Sequence, residues 1–291
     1  YLNSGDEILA LLSNCVHLVW KWMRNGDGKV TTMHPPHLLR PTFLNFMAND
    51  RCAATWGDDV SSLALSNDDT LLCSLSGSRV FLFNLSTLEK KEWLQSSSAV
   101  TSIAIHPDAS LLALGKANST VEILNDFSHT RVEIKGHSKS VTGLAFSEPL
   151  KALISTGADN QIIVWNIENW MKISERFLEI PSDRAVSASS KTEIEIHKDG
   201  IQLLVVHETQ LAIFNAKKLQ SNYIQWMVGS HSAPIHSATF SCDGQLIYSA
   251  FRNGDLRIFR VATFTIQVLY SLTGSDYVPN FDRCVVSLTE P

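Results

Sequence analysis

The stretch that decides the fold is Gly136-His137-Ser138-Lys139-Ser140-Val141-Thr142-Gly143-Leu144-Ala145-Phe146-Ser147, continued to Trp165-Asn166. A polar entry leads into an apolar run of strand length, which ends at the turn Ser147-Glu148-Pro149. Two further apolar runs follow, Ala152–Ser155 and Ile162–Trp165. Short β-branched or aromatic runs bounded by turn residues indicate β-strands, and the stretch lacks the 3.6-residue period of a helix.

The same arrangement recurs along the chain at intervals of about 40 to 50 residues, the period of four-stranded propeller blades. Runs like Val141–Phe146 begin at Val60, Val100, Thr192, Ile235 and, weakly, Val285. Each strong copy is followed by a turn rich in Asp, Asn, Pro or Gly, which favour turn geometry. A second and a third apolar run complete the unit. The sequence therefore predicts an all-β propeller with six visible blades.

The two ends of the chain leave the number of blades open. Ile8–Leu12 and His17–Trp20 match the second and third strands of a blade, whereas Cys284–Leu288 matches a lone first strand. The last strand either completes the first blade and closes a six-bladed ring, or the chain is a truncated seven-bladed ring. Closure matters because an open ring leaves strand edges unpaired.

No linker composition divides the chain, so we expect a single domain over residues 1–291. Two stretches interrupt the period. Residues 23–59 contain Pro35, Pro36 and Pro41 and predict a long loop region with one outer strand near Phe43–Met47. Residues 181–191 are rich in Ser and Ala and predict a mobile loop. Residues 277–291 form an atypical tail.

Four residues of the deciding stretch have the spacing found in a WD40 repeat. His137 precedes the first strand, Ser155 lies in the second, Asp159 in the next turn, and Trp165 in the third strand. The stretch resembles a WD40 repeat, in which such residues form a hydrogen-bonded network that joins neighbouring strands. A buried network of this kind is favourable only when each member is satisfied. We therefore predict a structural role for these four residues.

Longer segments carry a more specific resemblance. They are Val19-Trp20-Lys21-Trp22, Arg176-Phe177-Leu178, Val205-Val206-His207-Glu208-Thr209-Gln210-Leu211-Ala212-Ile213, and the run from Ser232 to Asp243. Through them, residues 1–275 resemble the C-terminal WD40 propeller of the plant Topless and Topless-related transcriptional corepressors. The tail after Tyr277 departs from that pattern.

The resemblance implies a non-enzymatic protein-interaction scaffold in the nucleus. Members of this family link DNA-bound transcriptional repressors to chromatin-modifying partners, including a histone deacetylase-type corepressor complex. The helical region with which the family captures leucine-rich repressor peptides is not among the matched segments, so peptide capture by that region is not predicted. The alternative is a WD40 adaptor of another assembly, such as a ubiquitin ligase or a trafficking complex.

The composition argues against several other classes of function. The formal net charge is −5, so the basic excess expected of a nucleic-acid-binding protein is missing, and Lys135, Lys139 and Lys151 are interpreted as a solvated face. The five cysteines contain no Cys-x-x-Cys pair, which disfavours disulfides and zinc. The longest apolar runs are far shorter than a membrane span. We predict no metal, no cofactor, no direct sequence-specific nucleic-acid binding and no membrane contact.

His137, Ser155 and Asp159 also have the composition of a hydrolase triad. The structural interpretation is preferred because the three occupy repeat positions and no Gly-x-Ser-x-Gly elbow occurs. No catalytic residue is therefore predicted. Propellers commonly bind partners at the loops that lead into their innermost strands. The candidate contact residues in those loops are Asp59, Ala99, Lys139, Ser140 and Pro234.

Overall fold

The structure is a computed structural model. It describes residues 7–11, 17–24, 30–33, 37–39, 60–68, 70–76, 78–85, 87, 89–125, 130–180, 191–226, 233–241 and 243–271. These residues form 24 β-strands and no helix, so the predicted all-β class is confirmed. Within them, no helix long and apolar enough to cross a membrane is found.

The strands are β1 (Glu7–Leu11), β2 (His17–Arg24), β3 (Val30–Met33), β4 (His37–Leu39), β5 (Val60–Leu65), β6 (Leu71–Ser76), β7 (Arg79–Asn84), β8 (Glu89–Gln95), β9 (Val100–Ile105), β10 (Leu111–Lys116), β11 (Thr120–Asn125), β12 (Thr130–Lys135), β13 (Val141–Ser147), β14 (Ala152–Gly157), β15 (Gln161–Asn166), β16 (Lys172–Phe177), β17 (Glu193–Ile196), β18 (Gln202–His207), β19 (Gln210–Asn215), β20 (Gln220–Trp226), β21 (Ile235–Phe240), β22 (Leu246–Phe251), β23 (Asp255–Arg260) and β24 (Thr265–Ser271).

Five sheets each contain four strands that are neighbours in the order of the sequence: β5–β8, β9–β12, β13–β16, β17–β20 and β21–β24. We call them blades 2 to 6. Strands β1 to β4 form another sheet, blade 1, in which β1, β3 and β4 all pair with β2. Each predicted apolar run of these blades within the described residues corresponds to a strand. The lone strand predicted at Cys284–Leu288 lies outside the described residues, so ring closure stays a prediction.

Blade 1 differs from the expectation for residues 23–59. Strand β2 continues to Arg24, and β3 and β4 lie within the stretch expected to be a long loop. These two short strands pair with successive parts of β2, whose eight residues offer more edge than either of them alone can cover. The outer strand expected near Phe43–Met47 lies outside the described residues.

The fourth strands of the blades were not identified from apolar runs. Strand β16 shows why, because its residues are exposed or only partly buried along its whole length. The inner neighbour β15 has five buried residues in succession and therefore gives a strong sequence signal. A strand at the outer edge of a blade needs to bury little, so its sequence is free of that constraint.

The turn between the first and second strands contains the same kind of side-chain contact in four blades. In blades 2, 3, 5 and 6 a Ser or His lies two residues before an Asp, and the two side chains are in contact. The pairs are Ser66–Asp68 at 2.5 Å, His106–Asp108 at 2.5 Å, His197–Asp199 at 3.0 Å and Ser241–Asp243 at 2.5 Å. Such short side chains fix a tight turn by local hydrogen bonding.

The chain divides into two compact units, residues 1–117 with 123–132, and residues 118–122 with 133–291. The prediction of a single domain stays a prediction. In the first unit, Leu75, Leu82, Leu112 and Leu114 belong to one apolar core shared by blades 2 and 3.

The second unit contains two apolar clusters. One lies between blades 4 and 5 and includes Ile154, Val164, Val205 and Phe214. The other lies between blades 5 and 6 and includes Leu204, Ile213, Ile247 and Phe259. Because blade 5 buries apolar side chains against blade 4 on one face and against blade 6 on the other, these three sheets stack face to face.

Candidate functional site

The deciding stretch builds a buried chain of hydrogen bonds across blade 4. The Trp165 Nε1 atom donates to Ser155 Oγ at 2.9 Å, and Ser155 Oγ lies 2.8 Å from His137 Nε2. On the other side of the imidazole ring, His137 Nδ1 lies 3.1 Å from Asp159 Oδ1. The structure thus brings all four predicted network residues together.

The direction of donation along these hydrogen bonds follows from the groups at the two ends of the network. An indole N–H can only donate, so Ser155 accepts there and gives its own proton to His137 Nε2. The Nδ1–H group of His137 then donates to Asp159. Ser138 N and Gln161 N also donate to the Asp159 carboxylate, at 2.7 and 3.2 Å. The network therefore joins the entry of β13 to β14, β15 and the turn between them.

Burial and the neighbouring charged or hydrogen-bonding groups shift the pKa of each ionisable residue of this network in opposite directions. Burial lowers the pKa of His137 and outweighs the opposing effect of the nearby Asp159 carboxylate. Burial raises the pKa of Asp159, but the hydrogen bonds from Ser138 N, Gln161 N and His137 lower it by more, so the net shift is downward. A neutral imidazole beside an ionised carboxylate is the state that the hydrogen bonds require.

Glycine is needed at one position beside the network. A Cβ atom on Gly157 would lie 2.5 Å from Asp159 Oδ1 and 2.7 Å from His137 Nδ1. Contacts that short do not occur between a real Cβ and its neighbours, so any side chain at position 157 would displace the His–Asp contact. The sequence Gly157-Ala158-Asp159 is therefore part of the network.

The geometry of His137, Ser155 and Asp159 superficially matches a hydrolytic triad, but Ser155 is fully buried. Its oxygen already accepts a bond from Trp165 and has no exposed face from which a substrate carbonyl could approach. A nucleophile has to reach its substrate. The arrangement stabilises the blade and offers no attacking group.

The network is specific to blade 4 among the described residues. Strand β14 carries Ser155 at its fourth position, and the fourth residues of β10 and β18 are Leu114 and Val205. Strand β22 has Ser249 there, but its hydroxyl donates only to the carbonyl of Arg257, at 3.1 Å. Strand β6 also has a buried serine there, Ser74, so only blades 3 and 5 of the five four-stranded blades carry an apolar residue at this level.

Three of the five candidate contact residues occupy one repeated backbone position. In blade 3, the carbonyl of Ala99 accepts from Ala117 N at 2.9 Å. In the second unit, the carbonyls of Ser140 and Pro234 accept from Ala158 N and Arg252 N at 2.8 and 3.0 Å.

These bonds fix each loop on its own blade. Ala99 and Lys139 are exposed, and Ser140 and Pro234 are partly buried. The remaining candidate, Asp59, lies outside the described residues.

Polar bonds also connect neighbouring blades of the second unit. The carbonyl of Thr192 in blade 5 accepts from the hydroxyls of Thr142 and Thr156 in blade 4, at 2.7 and 2.8 Å. At the opposite end of the strands, Ser147 donates to the carbonyl of Gly200 at 2.5 Å. These bonds hold the entry loops of blades 4 and 5 in a defined relation.

Two acidic residues in blade 5 were missed by the sequence reasoning. Glu193 and Glu195 lie on β17, and burial raises the pKa of both carboxyls. A comparison of the first strands would have found them, because Gly143 and Ala145 occupy the same positions in blade 4. Within the described part of the chain, no group of three or more His, Cys, Asp or Glu side chains is arranged to hold a metal ion.

The comparisons with known proteins find WD repeats in the chain and similar proteins in the Topless family. The family model described as "WD domain, G-beta repeat" matches residues 128–166 and 223–260. Topless-related protein 1 and Protein TOPLESS of Arabidopsis thaliana are each 40% identical to the chain over 96% of its length. Protein TPR3 of rice is 41% identical over the same share. The chain spans 25% of the length of each of these relatives.

A solved structure supports the fold. The β-propeller domain of Cps50 (Swd1) from Myceliophteria thermophila superposes with a TM-score of 0.70 at 12% identity. The match covers 94% of this chain and 84% of that domain. The predicted WD40-type β-propeller fold is therefore confirmed.

Proposed function

We propose a function from the premise that this chain belongs, over nearly all its length, with the WD40-repeat region of the Topless family. It is a non-enzymatic scaffold for protein–protein interaction. The observation that carries this proposal is the 40% identity to Topless-related protein 1 across 96% of the chain. The relatives named above do not favour an adaptor in a ubiquitin ligase or trafficking complex.

The setting that the family suggests is transcriptional repression in the nucleus. In that setting the chain is one docking part of a corepressor that links DNA-bound repressors to a histone deacetylase-type complex. In its second unit the chain contributes a rigid β surface, because blade 5 is fixed to blade 4 by an apolar cluster and polar bonds and to blade 6 by a second apolar cluster. A rigid surface favours binding because little conformational entropy is lost on association.

The contact face that we assign lies in the second unit and consists of the entry loops of blades 4 and 6. Lys139, Ser140 and Pro234 lead there into the innermost strands, and Ala99 is the separate candidate at the same repeat position in blade 3 of the first unit. The carbonyls of Ser140 and Pro234 are held by the repeated bonds described above, and the neighbouring side chain of Lys139 is exposed to a partner. Lys139 is the charged member of this set among the described residues, and it is exposed, so it would meet an acidic group of the partner.

The test is copurification from nuclei with a tagged chain, with histone deacetylase detected as the readout. The variant Lys139→Glu changes an exposed charge at the contact face. Its matched control is Lys217→Glu, which makes the same charge change on an exposed residue in the turn at the other end of the blade 5 strands. We expect Lys139→Glu to reduce recovery by about tenfold, about 1.4 kcal/mol, with Lys217→Glu unchanged.

Two results would contradict these proposals separately. Equal recovery with both variants would refute the contact face and leave the scaffold function in place. Absence of histone deacetylase from all samples, with another partner in stable association, would refute the corepressor setting.

A further inference from the structure

The outer strand of blade 4 exposes three large apolar side chains. Met171, Ile173 and Phe177 are 68%, 46% and 62% exposed, and all three belong to the second unit. Seven large apolar residues of the described part of the chain are exposed, so nearly half of them lie on or directly beside this one short strand. We call these three residues the β16 stripe.

The outer strand of blade 3 has a different composition at its exposed positions. On β12 the exposed side chains are those of Arg131, Glu133 and Lys135, whereas Ile134 is buried. Charged side chains along an edge strand disfavour pairing with another strand. An outer strand of this propeller therefore does not need exposed apolar side chains, and the β16 stripe requires a separate explanation.

Strand β16 is held in place by hydrogen bonds to blade 5. Ser174 Oγ donates to the carbonyl of Lys217 at 3.4 Å, and Arg176 Nη1 donates to the carbonyl of Leu219 at 2.9 Å. Both carbonyls lie in the turn between β19 and β20. Because the strand is fixed in this way, it cannot rotate to bury the β16 stripe against its own propeller.

The charged groups of β16 are paired with one another. Lys172 Nζ lies 2.6 Å from Glu175 Oε2, which also accepts a hydrogen bond from Gln161 Nε2 at 2.7 Å. Arg176 and Glu179 form a second pair at 3.7 Å. Because these exposed pairs are already made, a partner of strong net charge would gain little here. The strand therefore favours a partner that is neutral overall and apolar, as β16 itself is.

The backbone of β16 offers a free edge. The strand is the last of its sheet, and β15 is its neighbour among the described strands. Leu178 N donates to the carbonyl of Asn160 at 2.8 Å, so the backbone groups of Leu178 face the β15 side. The direction alternates along an antiparallel ladder, so the N–H and C=O groups of Glu175 and Phe177 point away from the sheet. A further strand can pair with them.

We propose that β16 pairs with β16 of a second copy of this chain, antiparallel and with the two-fold axis at Glu175. In this register Ile173 of one copy lies opposite Phe177 of the other, and the contact occurs twice because such an interface is isologous. Apolar cross-strand pairs stabilise antiparallel strands. The inference goes beyond the docking of other proteins, because it concerns the chain's own association and holds whichever protein binds at the entry loops.

The size of the contact sets its strength. The β-bulge at Ile173 ends the regular ladder on each copy, so the paired segment is short. With about 200 Å² for a whole large side chain, the β16 stripe exposes about 350 Å² per copy. Two copies with their ladder and flanking side chains then bury about 1,000 Å², the lower limit of specific interfaces. We therefore expect a weak dimer with a dissociation constant of about 10–100 µM.

The first experiment is sedimentation velocity of the full chain between about 1 and 200 µM. The average mass should rise with concentration from the 32.3 kDa of the monomer towards twice that value. Ile173→Lys places a charge on the paired edge and should weaken association at least about tenfold. Ile201→Lys is the matched control, because Ile201 is 42% exposed and lies outside the β16 stripe, and it should associate like the wild type. Circular dichroism checks that both variants fold.

The second experiment tests the register by disulfide cross-linking under mild oxidation. Glu175→Cys places two thiols on the axis with Cα atoms about 5.5 Å apart, within the range of a disulfide, so the copies should be linked. Glu179→Cys is the control, because this side chain is 74% exposed but its two copies would lie about 26 Å apart along the strands. The wild type, with five cysteines, gives the background.

Three results would overturn the proposal. The chain could stay monomeric over the whole concentration range. Ile173→Lys and Ile201→Lys could associate equally, whether both dimerise or neither does. Cross-linking through position 175 could be no stronger than through position 179. Concentration-dependent association that Ile173→Lys alone reduces, with preferential cross-linking at position 175, is the expected outcome.

Discussion

Removing the hydroxyl of Ser155 should destabilise the protein far more than the loss of one ordinary hydrogen bond. Ser155→Ala leaves the Trp165 Nε1–H donor and the His137 Nε2 acceptor without their shared partner. Both lie in a site with no exposed surface at Ser155, so water cannot replace the oxygen. Each unsatisfied buried polar group costs about 1–3 kcal/mol, so the two together cost about 2–6 kcal/mol.

The chain contains a matched control for this substitution. Ser249 is equally buried, occupies the same position on β22, and makes a single bond to the carbonyl of Arg257. Ser249→Ala should cost about 1 kcal/mol, since the carbonyl it leaves can keep other partners. The difference between the two variants then isolates the network from the effect of losing a buried hydroxyl.

The assay is urea unfolding at neutral pH followed by far-ultraviolet circular dichroism. The slope with denaturant should stay constant, so that a change of midpoint reports stability. In a double-mutant cycle, Trp165→Phe removes the orphaned donor, and Ser155→Ala should then cost less than in the wild type. Equal costs for Ser155→Ala and Ser249→Ala, or an additive cycle, would refute the network as a stabilising unit.

Two other substitutions test the turns of the second unit. Gly200→Ala should destabilise the protein by more than about 1 kcal/mol in the same unfolding assay, because Gly200 has a φ of +69° and a new Cβ would lie 2.5 Å from Pro149 Cδ; unchanged stability would contradict that contact. Asp199→Asn should reduce the loss of folding stability that the wild-type chain shows as the pH falls. The pKa of the Asp199 carboxyl is lowered to about 2, because hydrogen bonds from Gln202 and Ile201 outweigh the opposing effect of burial. Its contribution is therefore present above the ordinary aspartate pKa and is lost as pH falls towards about 2. Acid unfolding identical to the wild type would show that this carboxyl is not held in the turn.

The repeat predicted most of the fold because its signal is local. Apolar runs such as Ile162–Val164 are buried on both faces, and the turns that bound them contain residues chosen for short-range hydrogen bonds. Outer strands such as β16 gave no such signal, since an edge strand buries little. The strands β3 and β4 were missed because each is only three or four residues long.

The four network residues were identified from spacing alone, because the order of His137, Ser155, Asp159 and Trp165 along the sequence matches that of a WD40 repeat. The carboxyls of blade 5 could not be understood in that way. Glu193 and Glu195 alternate with apolar residues, as on any strand with one wet face. Only the position of Phe240, 45 residues away, shows that Glu195 faces a backbone donor beside an apolar cluster.

The sequence by itself determined the all-β class, the blade period and the family resemblance, because these depend on patterns within about 40 residues. The tertiary structure decided which polar groups meet. Ser155 became a buried acceptor without access for a substrate, and Glu195 became a link between blades. The physical reason is that burial and neighbours far along the chain set the environment of a side chain, and that environment decides whether the same residue type stabilises, titrates or reacts.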